Sequence, residues 1–269
     1  MDNTLQISEK FYSVQAEGDT TGVPAYFIRF KGCNLSCGCS KSQIAQIKNC
    51  GKDAIKYEEF NGDLVGKSAT WFCDSTLTWV FGEPQNFSEI AEDWKRLGIT
   101  ENIQNGQVHI IWTGGEPTLF QSNIVEFLEW NCYRFGYSKV YNEIETNGTL
   151  YIKDDLFDRL DQINCSVKLA NSGMLSDRRI VHKALNRIIE HKNYWFKFVV
   201  SEESDLIEIE RDFIKPFNID PKRVIMMPGL DKQENFHERT RFILELAKKS
   251  GYRGMSRLHI SAWDSTTGK

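Results

Sequence analysis

Val108-His-Ile-Ile-Trp112-Thr113-Gly114-Gly115-Glu116-Pro117 is an apolar run of strand length that stops at a glycine pair, an acid and a proline. A near-continuous apolar run of this length reads as a strand buried on both faces, the kind found in a parallel sheet. Glycines at such a strand's end let the backbone come close to a ligand. A carboxylate placed there can accept hydrogen bonds from an ammonium group.

Working outward, similar runs occur at 26–30, 140–145, 163–168, 195–200, 224–227 and 258–262. Between them helical patterns are predicted over 87–97, 124–135, 177–191, 206–213 and 234–250. Strands alternating with helices point to βα units and a parallel sheet, with right-handed crossovers. Six or so units are too few for an eight-stranded barrel, so the expected fold is α/β, an open partial (β/α)6-type barrel. Functional residues then belong at the C-terminal ends of the strands. Glu143-Ile-Glu145-Thr146-Asn147-Gly148-Thr149 fits this, ending its strand in a second polar, glycine-bearing turn. Glu145 and Asn147 are placed there to reach ribose hydroxyls, although Asn147-Gly148 is also a common turn dipeptide.

The chain has 269 residues, 41% of them hydrophobic, and a net charge of −4. That length suits one large domain with a real core. The charge gives no reason to expect nucleic acid or an anionic membrane as partner. Residues 1–9 lack a basic start and an apolar run, and no stretch approaches the ~18 apolar residues of a spanning helix. The expectation is a soluble, cytoplasmic protein. Residues 38–70 break the pattern: polar, without clean periodicity, they read as an insertion or long loop.

Seven cysteines are present, and five (Cys33, Cys37, Cys39, Cys50 and Cys73) lie in the first third. In a reducing compartment they are thiols or metal ligands rather than disulfides. Cys33 and Cys37 follow the strand at 26–30, and Cys73 follows the insertion. Three cysteines on a [4Fe–4S] cluster leave one iron open to bind S-adenosylmethionine (SAM). A structural zinc site, with Cys33, Cys37, Cys39 and Cys50 as four ligands, is the competing reading. Cys132 and Cys165 sit alone and read as small buried hydrophobes. Arg29, on an otherwise apolar strand, calls for either a ligand carboxylate or an internal acid such as Glu17 as partner.

Several motifs, in order along nearly the whole chain, resemble the 7-carboxy-7-deazaguanine synthase family of radical SAM enzymes in queuosine and 7-deazapurine biosynthesis. They are Phe11-Tyr-Ser-Val-Gln15-Ala-Glu17-Gly18, Phe27-Ile-Arg29, Gly32-Cys-Asn-Leu-Ser-Cys37, Cys73-Asp74-Ser75, Thr113-Gly-Gly-Glu-Pro117 and Glu145-Thr-Asn-Gly148. Ser166-Val-Lys168, Phe196-Lys-Phe-Val-Val200, Met226-Met-Pro-Gly229 and Leu258-His259-Ile-Ser-Ala-Trp263 complete the set.

The resemblance implies a single radical SAM domain over 1–269, with the insertion 38–70 in its cluster-binding loop. Its reaction would be the conversion of 6-carboxy-5,6,7,8-tetrahydropterin to 7-carboxy-7-deazaguanine with loss of ammonia, a carbon–nitrogen lyase reaction. By resemblance Cys33, Cys37 and Cys73 hold the [4Fe–4S] cluster. Cys39 and Cys50 are rivals to Cys37, which keeps the family spacing. SAM would be lined by Phe72, Cys73, Asp74, Gly115, Glu116, Glu145, Asn147, Ser166, Val167, Lys168, Met226, Met227, Pro228 and Gly229. The pterin would meet Val14, Gln15, Ala16, Glu17, Arg29, Thr113, His259 and the terminal Lys269, with Arg29, Glu17 and His259 as the catalytic set. Ser75 stands where the family binds Mg²⁺ through a hydroxyl. An electron donor such as flavodoxin or ferredoxin and a homodimer are further implications, with Trp79, Val80 and Phe81 as candidate contact surface. Ala16, Ser75 and Val167 replace a glycine, a threonine and a proline usual in the family. The rival readings are another radical SAM enzyme, such as a glycyl-radical activase, and a non-enzymatic zinc-binding module.

Overall fold

Strand β4, His109–Gly114, is buried along nearly its whole length because it lies inside a sheet covered on both faces. The computed structural model describes residues 3–51, 69–73, 75–136, 139–229 and 235–263. The other strands are β1 Thr4–Val14, β2 Pro24–Phe30, β3 Glu83–Asn86, β5 Asn142–Thr146, β6 Gln162–Val167, β7 Tyr194–Val200, β8 Val224–Pro228 and β9 Arg253–Gly254. They form one sheet in the order β3-β1-β2-β4-β5-β6-β7-β8-β9. From β2 through β9 each neighbouring pair is parallel. β1 joins β2 antiparallel and carries β3 on its far side. The six long parallel strands, β2 and β4 to β8, are the expected partial (β/α)6 barrel.

The longer helices are α1 Lys41–Cys50, α2 Phe87–Arg96, α3 Gln121–Phe135, α4 His182–Ile189, α5 Phe236–Ser250 and α6 Leu258–Trp263. Helix α2 shows why they form. Asn86 and Glu89 make a reciprocal capping box at its start, and Phe87, Ile90, Ala91 and Trp94 bury one face at helical spacing. Helix α5 ends on Gly251 in the left-handed conformation, whose N–H donates to the Ala247 carbonyl at 2.9 Å.

Period-two alternation divides the strands between two faces. On β7, Phe196, Phe198 and Val200 join the main core beneath the helices, while Lys197 and Val199 face inward. The inner face has two levels. Near the strands' N-terminal ends a buried polar layer fills it. There His109 Nδ1 lies 2.6 Å from Glu143, and Thr20, Gln162 and Asn164 donate to the same carboxylate. Above that layer the interior opens into a cavity.

The structure corrects several expectations. Residues 258–262 alternate apolar and polar like a strand, yet they form α6, because the sheet edge beyond β8 is taken by the two-residue β9. Only Ile260 of α6 is buried. The predicted helix 177–191 is two pieces, Ser176–Arg179 and α4, with Ile180 and Val181 extended between them. The 206–213 prediction falls on Asp205–Glu208 followed by a π-helical turn at Ile209–Ile214. Within the insertion, α1 is a regular helix capped by Ser40 and Gln43. Trp79 and Val80, read as candidate dimer surface, are buried against Ile47 in a small satellite core, with Phe81 packed on it. No helix among the described residues is long and apolar enough to cross a membrane.

Candidate active site

A cavity of about 470 Å³ opens at the C-terminal ends of the parallel strands. Alternate residues of successive strands line it: Phe27 and Arg29 from β2, Thr113 from β4, Glu145 from β5, Ser166 from β6, Lys197 and Val199 from β7, Met227 from β8. Lys168 and Gly229 continue two of these rows just past the strand ends. β1 and the turn after it contribute Glu9, Phe11, Val14, Gln15, Ala16 and Glu17, and the C-terminal segment adds Arg257, His259 and Ile260.

One end of the cavity carries Cys33, Cys37 and Cys73, with Phe72 and Ser75 beside them. None of the three cysteines is in a disulfide. The glycine pair builds this end in a way the sequence did not show. Gly115 N–H donates to the Phe30 carbonyl, and Glu116 N–H to the Gly32 carbonyl at 2.9 Å. A Cβ on Gly115 would stand 1.8 Å from the Gly32 oxygen. Gly114 has φ +121° and would press on Phe30 in the same way. The glycines therefore admit the backbone of the cysteine loop, which is what sets Cys33 at the cavity wall.

Burial pushes the Cys33 and Cys37 thiols up to about 12, the Glu116 charge adding to the effect at Cys33. Among the described residues no three His, Cys, Asp or Glu side chains close around one point as ligands of a single ion would. An iron–sulfur cube takes each thiolate on a different iron, whereas a structural zinc ion gathers four ligands on itself. Cys39 packs with Ile47, Trp79 and Val80 outside the cavity lining, and Cys50 is exposed at the end of α1.

Glu116 is fully buried beneath this wall, outside the cavity lining. Its carboxylate accepts from Thr118 N–H and Oγ1, from Thr146 Oγ1, and from Asn147 N–H at 2.7 Å. Burial raises its pKa despite those donors. Asn147 in turn donates to Asn34 at 2.9 Å and accepts from Thr149. Glu116 thus ties the exits of β4 and β5 together, and Asn147 ties β5 to the loop between Cys33 and Cys37. Ser166 and Lys168, which the resemblance assigns to SAM, line the same cavity. Their side chains meet at 2.9 Å, and the Lys168 ammonium lies over the Trp71 ring.

The opposite end is a charged cluster. Lys197 Nζ, 2% exposed, lies 3.2 Å from both Glu17 Oε2 and Glu145 Oε1. Arg257 Nε donates to Glu17 Oε1 at 2.7 Å, and Thr113 Oγ1 to Glu145 Oε2 at 2.7 Å. Gln15 donates to Glu145 and accepts from Glu17 N–H. Burial pushes the Glu17 pKa up, but the Arg257, Lys197 and His259 charges outweigh it and hold the carboxyl well below its ordinary value. Arg29 sits between the two ends. It donates to Glu9 and to Ser75 Oγ, each at 3.2 Å, with its guanidinium over the Phe11 ring. The internal partner foreseen for Arg29 is therefore Glu9 rather than Glu17.

The structure thus gathers most of the sequence-predicted residues around one space. Glu116, Val167, Met226 and Pro228 are exceptions. They are buried outside the cavity lining, Val167 and Met226 in the main core. Glu145, read as a ribose ligand, is bonded within the protein to Gln15, Thr113 and Lys197. Asp74 and Lys269 lie outside the described residues. Sequence reasoning missed Lys197, Arg257 and Glu9. For Lys197 a signal was present: a lysine in the middle of Tyr194–Val200, an otherwise apolar strand, calls for a buried partner as Arg29 did.

An open sheet of six βα units, with a cysteine loop leaving the first parallel strand at its C-terminal end, defines the radical SAM class of protein. The 7-carboxy-7-deazaguanine synthase of Clostridium acetobutylicum is 30% identical over 218 residues, 81% of this chain and 77% of its own length. The same-named protein of Pyrobaculum aerophilum is 28% identical over 267 residues, covering 98% and 97% of the two chains. This chain belongs to the 7-carboxy-7-deazaguanine synthase family. The crystal structure of QueE from Escherichia coli has the same fold, with a TM-score of 0.59 over 95% of each chain at 21% identity. No protein-family model matches the chain.

Proposed function

We propose that this protein is a radical SAM lyase that converts 6-carboxy-5,6,7,8-tetrahydropterin to 7-carboxy-7-deazaguanine with release of ammonia. Family membership supports the reaction. The observation that carries it to this chain is one cavity with three cysteine thiols at one end and a charged, hydrogen-bonding cluster at the other. Cys33, Cys37 and Cys73 would hold a [4Fe–4S] cluster, and Ser166, Lys168, Met227 and Gly229 would line SAM. Bound there, the cluster and SAM would supply radical chemistry for removing a hydrogen atom from the substrate.

The chain's own work is positioning and exclusion. Arg29 offers its remaining N–H groups to the substrate carboxylate, holding the reacting carbon in one orientation. The carboxylates of Glu17 and Glu145 accept from the N–H groups of the pterin ring. Ser75, already hydrogen-bonded to Arg29, would place Mg²⁺ beside that same carboxylate, where a hard cation suits oxygen ligands. The walls keep water and stray hydrogen donors away. The whole chain, 1–269, acts in this reading as one radical SAM domain with 38–70 inserted in the cluster loop. A soluble cytoplasmic homodimer reduced by a flavodoxin or ferredoxin completes it.

The test is turnover after anaerobic reconstitution with iron, sulfide and a reductant, in the presence of SAM, Mg²⁺ and 6-carboxytetrahydropterin. The expected product is 7-carboxy-7-deazaguanine, identified by mass and absent from Cys73→Ala. Formation of 5′-deoxyadenosine without that product would move the protein to another radical SAM reaction.

A further inference from the structure

Lys197 is the most deeply buried charged group of the cavity, and neither the motif readings nor the family resemblance gives it a task. Its ammonium touches two carboxylates from distant parts of the chain. Glu17 comes from the turn after β1 and Glu145 from the end of β5. Each carboxylate also accepts from other donors, Glu17 from Arg257 and Glu145 from Thr113 and Gln15. Remove the ammonium, and two carboxylates largely withdrawn from water face each other. Such a pair keeps one proton, because like charges sharing a buried site cannot both ionise. The protonated member becomes a donor where an acceptor was needed.

We infer that Lys197 is a positioning residue that holds Glu17 and Glu145 together as a paired acceptor, so that the cavity selects a ring whose edge carries N–H donors. This rests on the pterin reading above and deepens it. It also moves Glu145 from the SAM side of the cavity to the substrate side. The backbone supports the assignment: Ser166 pairs with Lys197 across β6 and β7, so SAM-side and substrate-side residues stand shoulder to shoulder on adjacent strands. Gln15 completes the pair. Its side chain spans from Glu145 to the Glu17 backbone, and its own backbone is pinned by Val23 and Gly22. The carboxylates therefore cannot drift apart to relieve repulsion without unmaking the turn after β1.

The test uses reconstituted enzyme with SAM and measures equilibrium binding of 6-carboxypterin, the stable oxidised form of the substrate, rather than turnover. A second ligand, 6-carboxylumazine, has a carbonyl in place of the 2-amino group. Wild-type protein should prefer the pterin by ~100-fold or more, since a carboxylate placed to accept from the 2-amino group would meet a carbonyl acceptor in the lumazine. Lys197→Met should weaken pterin binding by about 30-fold or more. It should also shrink the preference below ~10-fold, while iron content and SAM affinity stay within about twofold. Lys197→Met combined with Glu145→Gln removes the repulsion. It should regain thermal stability without regaining pterin affinity, which separates recognition from folding. If Lys197→Met binds and discriminates like wild type, or loses iron and SAM as steeply as pterin, the inference is overturned. If wild-type protein binds no 6-carboxypterin, the functional reading itself fails, and that outcome is distinct.

Discussion

The carboxylate of Glu116 accepts the backbone N–H of Asn147 at 2.7 Å, and this bond joins the exit of β4 to the exit of β5 directly beneath the cysteine loop. Three more donors converge on the same side chain. Removing it orphans several buried N–H and O–H groups at once, each costing roughly 1–3 kcal/mol when unsatisfied. Glu116→Ala should therefore destabilise the protein by at least about 2 kcal/mol, read as a lower urea midpoint at unchanged slope. Iron uptake should fall as well, since Asn147 holds Asn34 within the cysteine loop.

Gly115→Ala tests the same region by steric means. The added methyl group would meet the Gly32 carbonyl oxygen at 1.8 Å, and both partners are backbone, so strands must part. The expected outcome is a loss of at least ~2 kcal/mol in stability and iron retention well below one cluster per chain. Gly251→Ala should cost far less. Its Cβ meets nothing within 4 Å, leaving only the left-handed φ of +75° as a penalty.

Much of this was legible in the sequence, for identifiable reasons. Buried parallel strands announce themselves as unbroken apolar runs, so β2 and β4 to β8 were found to within two residues. Strand β1 was not, because only Leu5 and Ile7 of Thr4–Val14 are buried and the strand contains Glu9 and Lys10. Residues 258–262 failed in the opposite direction: period-two alternation predicts a strand only where the sheet has a vacant edge. Cavity residues on strand ends were legible because polar residues there interrupt apolar runs. The internal use of Glu116 was not, since a carboxylate satisfied by neighbouring backbone reads the same as one awaiting a ligand. Arg257 was missed because nothing local marks a surface-type arginine that reaches across 240 positions to Glu17.

The competition among cysteines has a direct experimental form. Cys37 is buried and lines the cavity, whereas Cys39 packs on the satellite core and Cys50 is exposed. Cys37→Ser should abolish reconstitution, measured as iron and sulfide per chain and as the cluster's charge-transfer absorption. Cys39→Ser and Cys50→Ser should retain the full complement. Loss of iron in Cys39→Ser with retention in Cys37→Ser would reverse the assignment.

The acid side of the stability profile should report on Glu17. Its folded pKa lies well below the ordinary 4.5, because Arg257, Lys197 and His259 outweigh the burial that pushes it up. A depressed carboxyl binds fewer protons folded than unfolded, so its contribution is fully present above the unfolded value and drains away as pH falls through the folded one. Lys197 is shifted the other way, upward, by Glu145 and Glu17, against the opposing effect of its burial. Its own contribution is present below its unfolded value and leaves only under strongly alkaline conditions, far from this window. Wild type and Glu17→Gln should therefore differ by a constant amount from neutrality down to about pH 5, and the gap should close progressively below that. Urea unfolding of the cluster-free protein across this range measures it. A gap that stays constant to the acid limit would show that Glu17 has the same pKa folded and unfolded, and that Lys197 and Arg257 do not depress it.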